Sequence, residues 1–316
     1  MSLDTTTPMM ATRVPQRADN LRGLIYMALA FFIFAAADAQ VKVLTQTLHP
    51  LQIVWARQSG LLIVVLFLLA VKGPVILRTR HPVLQVLRGG LAVASAVFFV
   101  FAISYVPLAD AIAVSFIAPF MVTVMGAVFL REPVGIRRWS AIGVGFLGTL
   151  IIIRPGLGVV HPAMMLVVLA ASCFAARQVL SRSLAASDQT ATTIAYTAIS
   201  AFAVLSLAVP FVWTTPETTL EILLLVSAAV LAAMGELLVI KALEIALAVV
   251  VAPVHYTLII WATLYGWLIF GQLPDKWTTI GALIILATGL YVLNRERQLG
   301  HNSAPPDPLP PHPDGT

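Results

Sequence analysis

The sequence predicts an all-α polytopic membrane protein of ten transmembrane helices, and three observations carry that prediction. Of 316 residues, 59% are hydrophobic and only 10% charged, against about 25% charged in an ordinary soluble domain. The apolar residues gather into ten runs, each close to the roughly 17–25 residues that a bilayer core requires of a helix. Part of the first half of the chain recurs in the second half. No soluble core could hide so much apolar surface, so the lipid bilayer is the first partner the sequence implies.

Taken in order, residues 1–21 are polar and rich in Thr and Pro, and are expected to form a disordered leader. The first run resembles a signal peptide, with Arg22, apolar residues from Leu24 to Phe34, and Ala37-Asp38-Ala39 as a cleavage-like site. A polar stretch of about twenty residues is long for the basic region of such a peptide, however. Apolar character also resumes at Val41, Val43 and Leu44. The run therefore reads as a retained helix over 22–44. Further spans are expected at 50–71, 83–105, 108–130, 139–154, 162–184, 190–213, 219–241, 246–270 and 277–294. Turn chemistry separates them, including His49-Pro50, Gly73-Pro74, His81-Pro82, Pro155-Gly156, His161-Pro162, Thr215-Pro216 and Leu273-Pro274. The Pro-rich end, 298–316, is expected to be a disordered tail.

Ten crossings put both ends of the chain on one side, and the basic residues choose the side. One set of loops carries Arg13, Arg17, Arg22, Lys72, Arg78, Arg80, Arg131, Arg137, Arg138, Arg182, Arg295 and Arg297. The other set holds Arg154 and Lys276, beside the acidic Glu217 and Glu221. In short loops this bias places the first set, and both termini, in the cytoplasm, as in a bacterial inner (plasma) membrane. It also accounts for the net charge of +5 and the pI near 9.7. Binding to nucleic acid is not implied, because no basic stripe with interleaved aromatics lies outside the spans.

The repeat fixes the architecture. Gly126-Ala-Val-Phe-Leu-Arg-Glu132 matches Gly266-Trp-Leu-Ile-Phe-Gly-Gln272, and Trp139-Ser-Ala-Ile-Gly143 matches Trp277-Thr-Thr-Ile-Gly281. Equivalent segments lie five spans apart, and an odd number of crossings inverts the second copy. Two inverted five-helix repeats follow, 22–156 and 157–297, with a site near the midplane where they meet. Rocking one bundle against the other would expose that site to each side in turn.

The segments YVPLADAIAVSFIAPFMVTVMGAVFLREPVGIRRWSAIGVGFLGTLIIIRPG and VAPVHYTLIIWATLYGWLIFGQLPDKWTTIGALIILATGLYVL resemble the paired EamA domains of the drug/metabolite transporter superfamily. Within it the chain is similar to bacterial ten-helix exporters, including the YddG-type amino-acid exporters. The resemblance covers about residues 22–294. It implies a secondary transporter that exports amino acids or similar small polar metabolites across the inner membrane. A nucleoside, vitamin or sugar derivative, taken up or exchanged, is the alternative. It also implies a cavity lined by helices 1, 3, 4, 6, 8 and 9, with helices 5 and 10 at the periphery. The usual Gly-Glu before the last helix of each half is replaced by Arg131-Glu132 and Gly271-Gln272, so that position receives no function.

Ionisable residues inside spans carry the site prediction, since each costs about 2.5–3.5 kcal/mol at a helix centre. Asp38 and Lys42 lie in helix 1, Arg57 in helix 2, Arg177 in helix 6, and Glu236 and Lys241 in helix 8. Counted from the loops, Asp38 and Arg57 share the periplasmic third, and Arg177 and Glu236 the cytoplasmic third. One reading makes each pair a gate, with Asp38 and Glu236 as carriers of coupling protons. The other makes them static salt bridges, with Lys42, Lys241 and Arg57 snorkelling to headgroups. Pro119 and Pro253 break helices 4 and 9 and free carbonyls beside Ser115, His255 and Tyr256, which suit a polar substrate. The competing reading is a kink that shapes packing, with Ser115 bonded to its own helix. Trp261 and Tyr265 read as packing or interface aromatics.

Several chemistries have no signature. Gly143-Val-Gly145-Phe-Leu-Gly148 satisfies G-x-G-x-x-G but sits in an apolar helix without the βαβ unit a dinucleotide site needs, so it reads as a packing face. No P-loop occurs, so the chain contains no ATPase domain. No metal-ligand cluster or nucleophile elbow occurs either. No cofactor, metal or enzymatic activity is expected. The single cysteine, Cys173, lies in an apolar run and reads as a packing residue. A membrane-embedded enzyme would need titratable groups converging at one depth, and a structural subunit would need no polar groups beside mid-helix prolines.

Overall fold

Some of the long helices start where a turn residue supplies what the backbone lacks. His49 accepts a bond from the Leu51 amide at 3.3 Å, with Pro50 in the first helical position, where its missing N–H costs nothing. Thr218 and Glu221 form a capping box: the Glu221 amide donates to Thr218 Oγ1 at 3.2 Å, and the Thr218 amide to Glu221 Oε2 at 3.2 Å. In the computed structural model, which describes residues 17–132, 134–154, 161–184 and 187–302, ten apolar helices are long enough to cross a bilayer. Residues 1–16 and 303–316, most of the expected leader and tail, and the Pro155-Gly156 turn lie outside the described residues.

The helices are α1 (Arg17–Leu44), α2 (Pro50–Lys72), α3 (Pro82–Ile103), α4 (Leu108–Ser115), α5 (Ala118–Phe129), α6 (Ile136–Ile153), α7 (Met164–Leu184), α8 (Thr190–Ala208), α9 (Thr219–Ile245), α10 (Ala248–Val251), α11 (Leu258–Phe270) and α12 (Lys276–Asn302). The first span starts and the last ends further out than the hydropathy boundaries suggested, because helix continues into flanking polar residues. The fourth span is split between α4 and α5 just before Pro119. The ninth is split between α10 and α11 by a tight 3-10 stretch, Ala252–Thr257, that contains Pro253. Both expected breaks are therefore present, at equivalent places in the two halves.

Helix pairing is unchanged when the halves are exchanged. α1 packs on α9 and its counterpart α7 packs on α3; α3 packs on α8 as α9 packs on α2. Two pairs lie on the exchange axis, α2 with α8 and α6 with α12. Small residues set the closest approaches. A Cβ on Gly281 would stand 2.5 Å from the Gly148 carbonyl of the facing helix, and one on Gly145 2.4 Å from the Phe120 ring. Two glycines of the G-x-G-x-x-G run are thus packing positions, while Gly143 faces open space. Hydrogen bonds between turns sort into two ends of the bundle. Thr79 with Asp188 and Arg182 with Glu132 belong to one end, and Gln52 with Thr214 and Arg154 with Asp275 to the other.

Candidate functional site: a charged cavity inside the bundle

Where the halves meet lies a cavity of about 360 Å³. Asp38 and Arg57 lie towards one end of it, with Arg57 Nη1 donating to Asp38 Oδ1 at 2.7 Å. The side chains are 10% and 20% exposed, so the pair is largely sheltered. Beyond it, at the Arg154–Asp275 end, further hydrogen bonds tie the helices together. Gln52 exchanges two bonds with the Thr214 backbone, at 2.7 and 2.9 Å. Lys42 Nζ donates to the carbonyls of Ile103 (3.1 Å) and Val106.

The other end of the cavity is built differently. Arg177 and Glu236 both line it, as their depth predicted, but they form no ion pair among the described residues. The Arg177 guanidinium lies 4.8 Å from the Phe174 ring centroid, and its buried Nε has no hydrogen-bond partner. Glu236 is within electrostatic range of it. The expectation of a pair at each end thus fails at this one, because the two side chains border open cavity instead of touching.

Two ionisable residues escaped the sequence reading. Arg88 of α3 enters the cavity beside Arg177, held by Ser181 Oγ at 2.6 Å, the Thr193 carbonyl at 3.3 Å and the Thr197 hydroxyl. Only two turns into its span, it resembles a loop cation in sequence; the signal was a charge inside an apolar run beside Gly89-Gly90. Asp110 near the start of α4 was hidden the same way.

The proline-flanked residues do not stay together. Ser115 and His255 line the central cavity, but Ser115 Oγ donates to its own helix at the Ile112 carbonyl, 2.7 Å away. His255 stacks on Phe31, with ring centroids 4.6 Å apart, and meets Phe116 edge-on. Pro119 and Tyr256 instead line a second cavity of about 340 Å³, next to the first, which shares Ser115, Ala118, Phe174 and His255 with it. Pro253 lines neither of these, but a third cavity of about 480 Å³ against α12. Spans 2 and 7 contribute Arg57, Gln58, Leu61, Ile194 and Thr197, so the lining is wider than the six helices the resemblance implied. Lys42 is buried on carbonyls and does not snorkel, whereas the exposed Lys241 pairs with Glu244 at 3.1 Å. Trp261 and Tyr265 pack against Phe32.

Apolar spans in two exchangeable halves, with opposed charges facing a shared cavity, define a multi-pass membrane transporter. The chain belongs to the EamA-like transporter family, whose model matches residues 21–154 and 161–295, within the drug/metabolite transporter superfamily. It is 28% identical over 279 residues to an S-adenosylmethionine uptake transporter of Rickettsia bellii, covering 87% of this chain and 94% of that one. A pseudopaline exporter of Pseudomonas aeruginosa is 30% identical over 268 residues, 84% of this chain and 93% of its own. A riboflavin transporter of Vibrio cholerae is 32% identical over 223 residues, 70% and 74% of the two chains. One solved crystal structure shares the fold, with a TM-score of 0.58 at 17% identity over 90% of this chain and 99% of that one.

Proposed function

We propose that the protein is a secondary carrier of the inner membrane, both termini cytoplasmic, that moves a small metabolite bearing a carboxylate and an ammonium group by alternating access. One observation carries the substrate class: Arg177, its Nε unpartnered, borders the same cavity as Glu236. A buried guanidinium without acceptors is costly, and a substrate carboxylate supplies them in fork geometry. Glu236 stands ready for the ammonium. Amino acids satisfy both, in keeping with the export expected from the family resemblance.

The asymmetry of the cavity supports alternating access. The Asp38–Arg57 ion pair and the hydrogen bonds beyond it close one end, while the Arg177–Glu236 end has no such bridge. The loop-charge bias assigns the closed end to the periplasm, so this state faces inward.

A second reading is favoured by the similarity to S-adenosylmethionine uptake carriers. That compound carries the same amino-acid end joined to a planar base, and Phe99, Phe174 and His255 line the same cavity as the charges. Both readings are tested by counterflow in proteoliposomes holding only this protein, with labelled amino acids, S-adenosylmethionine, riboflavin and nucleosides. Exchange of a compound with an amino-acid end, with its apparent affinity weakened in Arg177→Ala, is the expected result. Exchange of riboflavin or nucleosides alone would refute the substrate class, and no exchange by folded protein would refute the carrier.

A further inference from the structure

Beyond the substrate cavity, at the closed end of the bundle, one carboxylate has no place in the reading given so far. Asp110 sits in the first turn of α4, and its Oδ1 is buried with no hydrogen-bond partner. The charged groups facing it come from three other elements. They are Lys42 of α1, Arg154 at the end of α6, and Asp275 just before α12, with the Thr278 hydroxyl of α12 beside them. None of the cations is free to neutralise it. Lys42 Nζ is spent on the carbonyls of Ile103 and Val106 and lies 5.4 Å from the Phe270 ring centroid. Arg154 gives its Nη2 to Asp275 at 2.6 Å, while Asp275 Oδ1 caps α12 through the Thr278 amide at 2.7 Å.

The other carboxylates inside the bundle are differently placed. Asp38 is bonded to Arg57, and Glu236 lies among Arg88 and Arg177. Asp110 Oδ1 lies inside a span without a donor, as Asp188 Oδ1 does in the turn before α8, and an added proton would relieve that deficit.

From this geometry we propose that Asp110 is the binding site of a gating proton, separate from the substrate cavity, and that its protonation releases the closed end. The inference rests on the carrier reading above. In the ionised form the carboxylate attracts Lys42 and Arg154, drawing α1, α4, α6 and α12 together at that end. A proton taken from the adjacent aqueous phase forms the Asp110 O–H bond and cancels the attraction. Lys42 then loses the carboxylate that faces it, Arg154 keeps Asp275 as its partner, and the weakened end opens. Closure releases the proton back to that phase, so each opening of the gate is tied to one bound proton.

The test needs no substrate. In full-length Cys173→Ser protein, spin labels at exposed Tyr105 and Leu273 report the separation of the α3–α4 and α11–α12 turns. Lowering the pH from about 8 to about 5 is expected to move the population towards the longer distance, by up to about tenfold per pH unit for one proton. Asp110→Asn should show the longer distance at every pH. A separation that ignores pH in the unsubstituted protein would overturn the proposal, and so would an Asp110→Asn variant that still responds. If that variant does not fold, the first of these measurements decides alone. Failure of counterflow with the pH response intact would instead count against the carrier reading.

Discussion

A guanidinium drawn into the protein is held in place only if something offsets its lost hydration, and Arg88 and Arg177, two of the three arginines lining the cavity, differ in this. Arg88 has hydroxyl and carbonyl partners within the protein, whereas the Nε of Arg177 has none. Arg177→Ala should therefore weaken substrate binding more than Arg88→Ala. A hydrogen bond to a charged group contributes about 1.5–3 kcal/mol, so the apparent affinity in counterflow should fall about ten- to hundredfold. Arg177→Lys should recover little of this, because a single ammonium cannot fork onto a carboxylate. Asp38→Ala leaves Arg57 charged and sheltered, which costs about 3 kcal/mol for a pair this little exposed. Asp38→Asn with Arg57→Gln should restore thermal stability in detergent without restoring transport.

Asp188 extends the residue-scale argument to pH. It lies in the turn before α8, and hydrogen bonds from the Thr79 hydroxyl, then from Gln85 and the Arg80 amide, hold its carboxyl below the usual aspartate range. A depressed carboxylate adds stability above its unfolded value, near 3.9, and loses it as the pH falls through the folded value. Thr79→Val should accordingly raise the midpoint of acid unfolding, by a fraction of a pH unit since the group is only partly buried. An unchanged midpoint would remove Asp188 from that linkage.

At the scale of elements, proline and glycine decide where helices break and where they touch. The interruptions at Pro119 and Pro253 put Ser115 and His255 at the cavity, and a continuous helix there would rotate one or both away. Pro119→Ala should leave stability equal or higher and turnover lower, measured as initial exchange rate against melting temperature. Gly289 makes room for a ring, since its Cβ would stand 1.8 Å from the Tyr256 hydroxyl. Gly289→Ala should then destabilise by about 1–3 kcal/mol through overpacking, and Tyr256→Phe in the same chain should recover part of that loss. The breaks were legible in sequence because proline acts locally. The division of Ser115, Pro119, Tyr256 and Pro253 among different cavities was not, because it depends on how neighbouring spans are rotated.

The same distinction runs through the whole molecule. Ten spans and two repeats could be read from hydropathy and from the two W-[ST]-x-I-G segments, since lipid imposes one rule along the chain. Asp38 and Arg57 could be paired by counting turns from their loops. Depth alone also paired Arg177 with Glu236, and there the bundle sets the side chains on either side of open space. Arg88 and Asp110 were passed over because charges near span ends look like loop residues until the fold buries them. Inversion of the halves makes a plain prediction. Single cysteines in the turns after Arg131 and after Gln272 should react with an impermeant thiol reagent from opposite faces of the membrane. Labelling from one face would end the two-fold description.

The seam between α6 and α12 is narrow enough that Gly281 has no room for a Cβ beside the Gly148 carbonyl. Such a joint resists sliding but tolerates a small swing, like the pin of a folding rule. Whatever excursion exchanges the open and shut ends, the ends of that pin travel least. Stapling those two helices chemically should accordingly spare turnover, while stapling α3 to α8, farther from the pivot, should bring it to a halt.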